Sequence, residues 1–286
     1  MLFLKAAERE LKSAGVHSPR AEAESMLCHF GRLDRLELFT GKKELSPAAK
    51  RSIEHALAER RRGVPLAYLT GRAPFFGRSF FVSPDVLIPR PETERLVEEA
   101  LSVLNAHYSG RVPSVLDLGT GSGCIAVSLT LEGPACRMTA LDASAKALKV
   151  ARKNFNLFGL GQKIRLQEGR LFGPFKGQKA LWDVVVSNPP YIPEEDWGAL
   201  PDEVKREGRL ALDGGKRGLE VIDAILGAAP HFLKPAGWLL LEIGEGQSKK
   251  IADKWAPRPD YASLAFEKDL NGIERILIAR VKVSNG

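Results

Sequence analysis

The sequence predicts an α/β protein in two parts: a small helical N-terminal domain, and a larger domain built on a mainly parallel sheet. Three observations lead there. From residue 112 onward, β-rich runs alternate with helical stretches, the pattern of a sheet covered on both faces. Residues 1–73 read as helix, punctuated by Gly31, Gly41, Gly63 and Gly71. Between the two parts, residues 74–91 are phenylalanine-rich and β-like, and read as a β-hairpin linker.

The elements follow in chain order. Ser18-Pro19 and Ser46-Pro47 each join an N-cap residue to a proline at the first helical position. The second pair opens a helix that sets Ile53, Ala56, Leu57 and Arg60 on one stripe. Arg60-Arg61-Arg62 then reads as a solvated helix end that complements the dipole. In the linker, residues 75–82 and 86–88 read as two strands turning at Ser83-Pro84-Asp85. Pro89-Arg90-Pro91 ends them, and a helix is expected from Glu92 to Ala106. Strands are expected at 114–118, 137–141, 163–166, 182–187 and 238–243, with helices at 144–158 and 219–233 among those between them. Two further strands flank Asp269-Leu270-Asn271-Gly272.

The composition fits this plan and narrows the function. A chain of 286 residues that is 44% hydrophobic can bury a sizeable core. No apolar run is long enough to cross a bilayer, and Met1-Leu2-Phe3-Leu4-Lys5 is too short for a signal peptide. Cys28, Cys124 and Cys136 are far apart and odd in number, and the histidines are scattered. Neither a disulfide framework nor a metal site is expected, and a reducing cytoplasm is the expected location. A net charge of +7 favours an acidic partner, whether nucleic acid, ribosome or acidic protein, without choosing among them.

Two constellations carry chemistry. The first is Asp117-Leu118-Gly119-Thr120-Gly121-Ser122-Gly123, a strand end, a glycine turn and the start of a helix. Glycines let the backbone approach a ligand closely, and a helix N-terminus favours negative groups. Cys124 stands where a dinucleotide fingerprint has its third glycine, and the lysine of a P-loop is missing. Asp142 ends the next strand, where an acid suits the two hydroxyls of a ribose. Loop and acid together point to a nucleoside cofactor. They do not separate S-adenosylmethionine from a nicotinamide dinucleotide.

The second is Asn188-Pro189-Pro190-Tyr191, directly after the strand at 182–187. Ligands of open α/β sheets bind at the carboxyl ends of strands. Two successive prolines make a rigid turn with fixed carbonyl directions. The Asn188 side-chain oxygen and the Pro189 carbonyl suit the two N–H donors of a planar amide or amine nitrogen, and Tyr191 suits its flat face. A nitrogen so held would face a methyl donor, whereas hydride transfer has no evident use for such a turn. As a bare pattern, the same residues would be a proline-rich surface turn.

In order along the chain, Ile88-Pro89-Arg90-Pro91-Glu92-Thr93-Glu94, the glycine loop and Ser187-Asn188-Pro189-Pro190-Tyr191-Ile192 resemble the HemK/PrmC family. The resemblance extends to residues 63–71, to Phe76-Gly77, and to Leu212-Asp213-Gly214-Gly215 with Gly218-Leu219. It implies a class I S-adenosylmethionine-dependent methyltransferase with a Rossmann-like doubly wound sheet over residues 92–286, behind a helical substrate-recognition domain. It implies methylation of the glutamine N5 in the Gly-Gly-Gln motif of class-1 peptide chain release factors, with S-adenosylhomocysteine as product. Cofactor contacts are implied for Asp117, Gly119, Thr120, Gly121, Ser122, Gly123, Asp142, Leu171 and Asn188, and substrate and catalytic contacts for Asn188, Pro189, Pro190 and Tyr191. A monomer is expected, with no membrane and no stable nucleic-acid partner.

The sequence departs from the family pattern twice. Arg170 stands where an acid usually lies near the adenine, and arginine cannot accept a hydrogen bond, so backbone near Leu171 is left to make that contact. Gly208 follows Glu207 where the family commonly has proline, which leaves that loop freer. The rival readings are a nucleic-acid adenine-N6 or guanine-N2 methyltransferase, a ribosomal-protein glutamine methyltransferase, and a non-catalytic nucleoside-binding module. Residues 1–72 carry few aromatics for base stacking and no recognised nucleic-acid-binding motif.

Overall fold

In a computed structural model of the chain, residues 2–40 and 43–283 are described; Met1, Gly41, Lys42 and residues 284–286 lie outside it. The chain divides into two compact units. One runs up to Arg72 and also takes in Pro201–Arg206. The other holds Ala73–Leu200 and the chain from Glu207 on.

The first unit carries helices α1 (Leu2–Ser13), α2 (Pro19–Gly31), α3 (Arg35–Thr40), α4 (Pro47–Arg61) and α5 (Leu66–Thr70). Both prolines open helices as the sequence implies, but only one serine caps with its side chain. Ser46 Oγ accepts the Ala49 N–H at 3.1 Å, whereas Ser18 makes no such bond. Leu4, Ala7 and Leu11 of α1 pack with Met26 and Leu27 of α2 and with Ile53, Ala56 and Leu57 of α4.

Arg60 is not the solvated helix end that the sequence suggests. It is 6% exposed, and its guanidinium binds Glu22 through Nε at 2.6 Å and Nη2 at 3.1 Å, and Glu203 at 2.7 Å. The physical reason is helical phase. Arg60 continues the buried stripe of Ile53, Ala56 and Leu57, and a buried charge persists only when paired and hydrogen-bonded. The exposed members of the run are Arg61 and Arg62.

A two-stranded hairpin follows, β1 (Arg72–Phe75) and β2 (Arg78–Phe81), which lies in the second unit from Ala73 on. The hairpin expected about Ser83-Pro84-Asp85 is corrected: the chain does turn there, with the Val86 N–H on the Ser83 carbonyl at 3.1 Å, but this turn does not join two strands. The chain reverses at Phe76-Gly77, both at positive φ (+47° and +71°), the two-residue connection that matches strand twist. Phenylalanine gives no signal for such a position; here its N–H is held by Glu94 Oε1 at 2.7 Å. Residues 86–88 form no strand, and the Ile88 N–H donates to Glu207 Oε2 at 3.0 Å.

The alternating part follows as α6 (Pro91–His107), β3 (Ser114–Leu118), α7 (Cys124–Glu132), β4 (Arg137–Asp142), α8 (Ala145–Leu157), β5 (Ile164–Glu168) and β6 (Trp182–Ser187). After α9 (Asp202–Lys205), which belongs to the first unit, come α10 (Arg209–Leu212), α11 (Glu220–Phe232), β7 (Leu233–Glu242), α12 (Ser248–Trp255), β8 (Tyr261–Lys268) and β9 (Glu274–Val281). The strands form one sheet in the order β5-β4-β3-β6-β7-β9-β8, parallel up to β7 and antiparallel at β9 and β8. β7 begins earlier than the expected residue 238: it pairs from Leu233, opposite Trp182, and shifts register before Trp238, with Ala236 at φ +61°.

Alternation along each strand feeds two cores. Val115, Val184 and Val186 pack on one face with Leu96, Val97 and Leu104 of α6, Ile125 and Leu129 of α7, and Phe155 of α8. Leu116, Leu118, Val185 and Leu241 pack on the other with Ile222, Ile225 and Leu226 of α11, and Trp255 of α12. This is a doubly wound sheet, and burial on both faces is why its strands read as unbroken apolar runs.

Arg60→Ala should lower stability in urea unfolding by about 2–3 kcal/mol, since it strips two carboxylates of a charge-assisted partner. Arg61→Ala, at an exposed site, should stay within about 0.5 kcal/mol of the parent. Equal effects of the two changes would show that the buried pairing contributes nothing.

Candidate active site

Strand register builds the site. Asp117 of β3 lies opposite Val186 of β6, and Leu118 lies opposite Leu141 of β4. The chain therefore leaves β3 at Gly119, β4 at Asp142 and β6 at Asn188 along one edge of the sheet. This is the switch point, where successive strands go to opposite sides of β3. Ser187 Oγ donates to the Leu118 carbonyl at 2.5 Å and ties two of these strand ends together.

The three glycines of the loop all have positive φ, but they serve two purposes. A Cβ on Gly119 or Gly121 would meet nothing within 4 Å, so the backbone there borders open space. A Cβ on Gly123 would fall 2.5 Å from Phe155 Cε1, so this glycine lets α7 and α8 pack closely. The N–H groups of Gly119 and Thr120 both donate to the Leu141 carbonyl at 2.8 Å. Ser122 is buried, and its carbonyl accepts from Asn154 Nδ2 at 2.8 Å.

Asp117 lies beneath the loop, fully buried. Its Oδ2 accepts from Thr120 Oγ1 at 2.6 Å and from the Ala126 N–H at 3.2 Å, while Oδ1 has no partner among the described residues. Burial pushes this carboxyl up to about 7. Asp142 accepts from the Gly121 N–H at 2.9 Å through Oδ2 and from the Ser144 N–H at 2.8 Å through Oδ1. Burial holds it above the usual aspartate range. Each of its oxygens keeps a further lone pair for a ligand hydroxyl. Open backbone at two glycines, a buried carboxyl oxygen with no partner among the described residues and an acid at the sheet edge fit a nucleoside with a cationic amino-acid end.

The Asn-Pro-Pro-Tyr turn is held by groups that the sequence reading did not single out. Asn188 Nδ2 donates to Thr93 Oγ1 at 3.0 Å, and its Oδ1 accepts no hydrogen bond among the described residues. Thr93, near the start of α6, donates in turn to Glu242 Oε2 at 2.6 Å. Tyr191 donates its hydroxyl to Glu242 Oε1 at 3.3 Å, and its ring packs against the second core. The Tyr191 carbonyl accepts from Gln247 Nε2 at 2.9 Å. Glu242 is 1% exposed, and burial pushes its carboxyl up to about 7. The Tyr191 phenol is driven well above its usual range, first by burial and then by Glu242.

Residues 212–218 brace this turn. The Ile192 N–H donates to the Leu212 carbonyl at 3.0 Å, and the Gly214 N–H returns a bond to the Ile192 carbonyl at 2.9 Å. A Cβ on Gly214 would lie 2.7 Å from Tyr191 Cα, and one on Gly218 would lie 2.3 Å from the Tyr191 carbonyl oxygen. Glu207 is buried as well, and binds the Ile88 N–H and, at 2.5 Å, Arg90 Nη2. Gly208 follows at φ +85°, which proline cannot adopt, so the departure from Glu-Pro is a difference of backbone path.

Leu171 stands at φ +49° and lines a cavity of about 460 Å³ with Arg170, Phe172, Lys176, His231 and Phe232. A second cavity, of about 690 Å³, lies at the opposite ends of the strands, against Ser114, Arg137 and Trp182. The convergence of polar groups, rather than cavity size, therefore locates the site at the Asn-Pro-Pro-Tyr turn.

Residues 3–71 match the model of the PrmC N-terminal domain, and residues 96–200 that of the methyltransferase small domain. A release factor glutamine methyltransferase of Moorella thermoacetica is 40% identical, over 96% of this chain and 95% of the relative. One of Geobacter sulfurreducens is 38% identical, over 95% and 93%. The chain belongs to the release factor glutamine methyltransferase family.

Solved structures agree in fold. A methyltransferase from Pyrococcus furiosus aligns with a TM-score of 0.51 at 17% identity, over 82% of this chain and 98% of that one. The Thermus thermophilus 16S rRNA N2 G1207 methyltransferase, solved with AdoMet and guanosine, aligns at 0.52 and 19% identity, over 74% and 50%. Around the candidate site, Glu242, Gln247 and Thr93 bind the Asn-Pro-Pro-Tyr turn without having been singled out in the sequence. The available signal for Glu242 was a lone acid at the end of an apolar strand, in the part of an α/β sheet where ligands bind.

The first prediction concerns the loop glycines. Gly123→Ala should cost about 1–3 kcal/mol of stability through overpacking on Phe155. Gly119→Ala should cost less stability but weaken S-adenosylmethionine binding by about tenfold or more, as read by calorimetry; the reverse pattern would exchange the roles given to the two glycines. The second concerns pH. The folded Glu242 carboxyl, at about 7, lies above its ordinary 4.5, so the stability it contributes is full below the ordinary value and is lost as pH rises through about 7. Glu242→Gln should flatten the fall in melting temperature between about pH 5 and 8. An unchanged slope would show that Glu242 does not titrate as described.

Proposed function

We propose that the chain transfers a methyl group from S-adenosylmethionine to the side-chain amide nitrogen (N5) of the Gly-Gly-Gln glutamine in class-1 peptide chain release factors. The observation that carries this reading is the Asn188 amide. Its NH2 end is engaged by Thr93 and its oxygen is left unbonded, next to the fixed Pro189 carbonyl and beside the glycine loop. Two acceptors on a rigid turn match the two N–H donors of a primary amide.

When bound, S-adenosylmethionine supplies an electrophilic methyl carbon on a sulfonium leaving group, and transfer to an amide releases one of the two amide protons. The chain orients and dehydrates the reactants. In this reading Asp142 holds the ribose hydroxyls, and Gly119 and Gly121 allow close backbone approach. Asp117 faces the cationic amino group, a role that its unpartnered Oδ1 supports. Backbone at Leu171 takes the adenine, since Arg170 cannot accept from its amino group. Thr120, Ser122 and Gly123 shape the loop. Asn188, Pro189, Pro190 and Tyr191 receive the glutamine.

We assign recognition of the protein partner to residues 1–73, where α3 leaves Leu36 and Phe39 exposed. A small amide cannot distinguish one glutamine from another, so specificity has to come from surface away from the reacting atom. Among the described residues no helix is long and apolar enough to cross a membrane. A cytoplasmic monomer without a stable nucleic-acid partner completes the reading.

The test is transfer of labelled methyl from S-adenosylmethionine to four acceptors side by side: release factor, the same factor with its tripeptide glutamine replaced, transfer RNA and duplex DNA. Only the intact factor should be labelled. Label in nucleic acid would favour the exocyclic-amine reading. With the intact factor, Asn188→Ala should reduce turnover on the order of a hundredfold while largely sparing cofactor affinity. A near-parental rate would make the turn merely structural.

A further inference from the structure

Glu242 is a buried carboxyl that the reaction as described does not use. Leu241 of β7 pairs with Ser187 of β6, so the next residue along, Glu242, reaches the sheet edge beside Asn188. Its contacts there form a chain with a direction. A hydroxyl has one proton to donate. Thr93 directs that proton to Glu242 Oε2 at 2.6 Å, so toward Asn188 it can only accept. Asn188 must then turn its NH2 to Thr93 and keep its oxygen for the incoming amide. Thr93 is itself 3% exposed, so water does not substitute for either link.

We propose that Glu242 is a positioning residue of the methyl-transfer site: acting through Thr93, it determines which end of the Asn188 amide faces the acceptor. This rests on the reading of Asn188 given above. The opposite arrangement is sterically equivalent. A protonated Glu242 can donate to Thr93 Oγ1, Thr93 can donate to Asn188 Oδ1, and the flipped amide then presents its NH2 to the NH2 of the glutamine, donor against donor. The charge on Glu242 chooses between the two.

The groups facing Glu242 are few. Tyr191 donates to its other oxygen and stays protonated, Glu92 of α6 disfavours its charge, and Arg275 of β9 favours it. Burial pushes the carboxyl up to about 7, so the switch falls in an accessible pH range. A charge here works against stability, since the fold prefers the neutral form; an apolar residue would serve packing better. An acid at this buried point is what a site requirement explains and a packing requirement does not.

The experiment uses the full chain with intact release factor. In the parent, kcat should fall on the acid side of about pH 7, the value to which burial brings Glu242. Glu242→Gln should lose that acid limb and lower kcat by roughly ten- to a hundredfold, with KM and cofactor affinity within about twofold. Thr93→Val should match it, and Thr93→Ser should restore most of the rate. Independently of activity, the Asn188 side-chain amide signals in nitrogen-15 spectra should shift through about pH 7 in the parent and not in Glu242→Gln. A variant with parental kcat and an intact acid limb overturns the inference. So does Thr93→Ser as impaired as Thr93→Val, or Asn188 signals indifferent to Glu242. If the parent fails to methylate the factor while the amide signals still follow Glu242, the proposed function fails and the positioning of Asn188 stands.

Discussion

The register of three parallel strands is the constraint on which the site depends. β3, β6 and β7 are neighbours whose carboxyl ends lie level, so Gly119, Asn188 and Glu242 emerge side by side although they are far apart in the chain. A one-residue slip of a strand would turn its inward side chains to the other face. Burial on both faces prevents this, because each strand feeds alternate residues into two separate cores. The same packing that makes the sheet stable thereby places the glycine loop beside the Asn-Pro-Pro-Tyr turn. Gly123, pressed against Phe155, extends this control to the helix that follows the loop.

Around this edge the fold accepts polar burial that a simple core would avoid. Asp117 and Glu242 are both held near 7 by desolvation, and each favours its neutral form in the folded chain. They differ in what satisfies them. Glu242 receives hydrogen bonds at both oxygens from within the protein, whereas Asp117 keeps one oxygen unpartnered. The first pattern is the one proposed above to orient its neighbours, and the second supports the proposed contact of Asp117 with the cofactor. The brace at residues 212–218 serves the same end through sterics, since Gly214 and Gly218 are the only residue type that lets the backbone approach Tyr191 so closely.

Much of this was legible in the sequence, for physical reasons that vary by element. The alternation of strand and helix from residue 112 reflects two-sided burial, and it located the glycine loop, Asp142 and the Asn188 turn at strand ends. The hairpin turn was misplaced because Phe76 adopts a positive φ, which its residue type does not advertise. Helical spacing set Arg60 on the apolar stripe while its charge read as part of a solvated helix end, and the spacing decided its burial. Glu242 and Thr93 were invisible as a pair, because what joins them is the packing of α6 against β7, elements far apart in the chain. Local pattern does not encode which helix lies against which strand.

The central claim is geometric: the chain holds an amide nitrogen between the Asn188 side-chain oxygen and the Pro189 carbonyl. A crystal structure with S-adenosylhomocysteine and a glutamine-bearing release-factor fragment tests it most directly. The account predicts both oxygens within about 2.7–3.2 Å of the glutamine amide nitrogen, with Asn188 Nδ2 still on Thr93. A glutamine amide bound away from the Asn188 turn, or facing the Asn188 NH2 group, would contradict it.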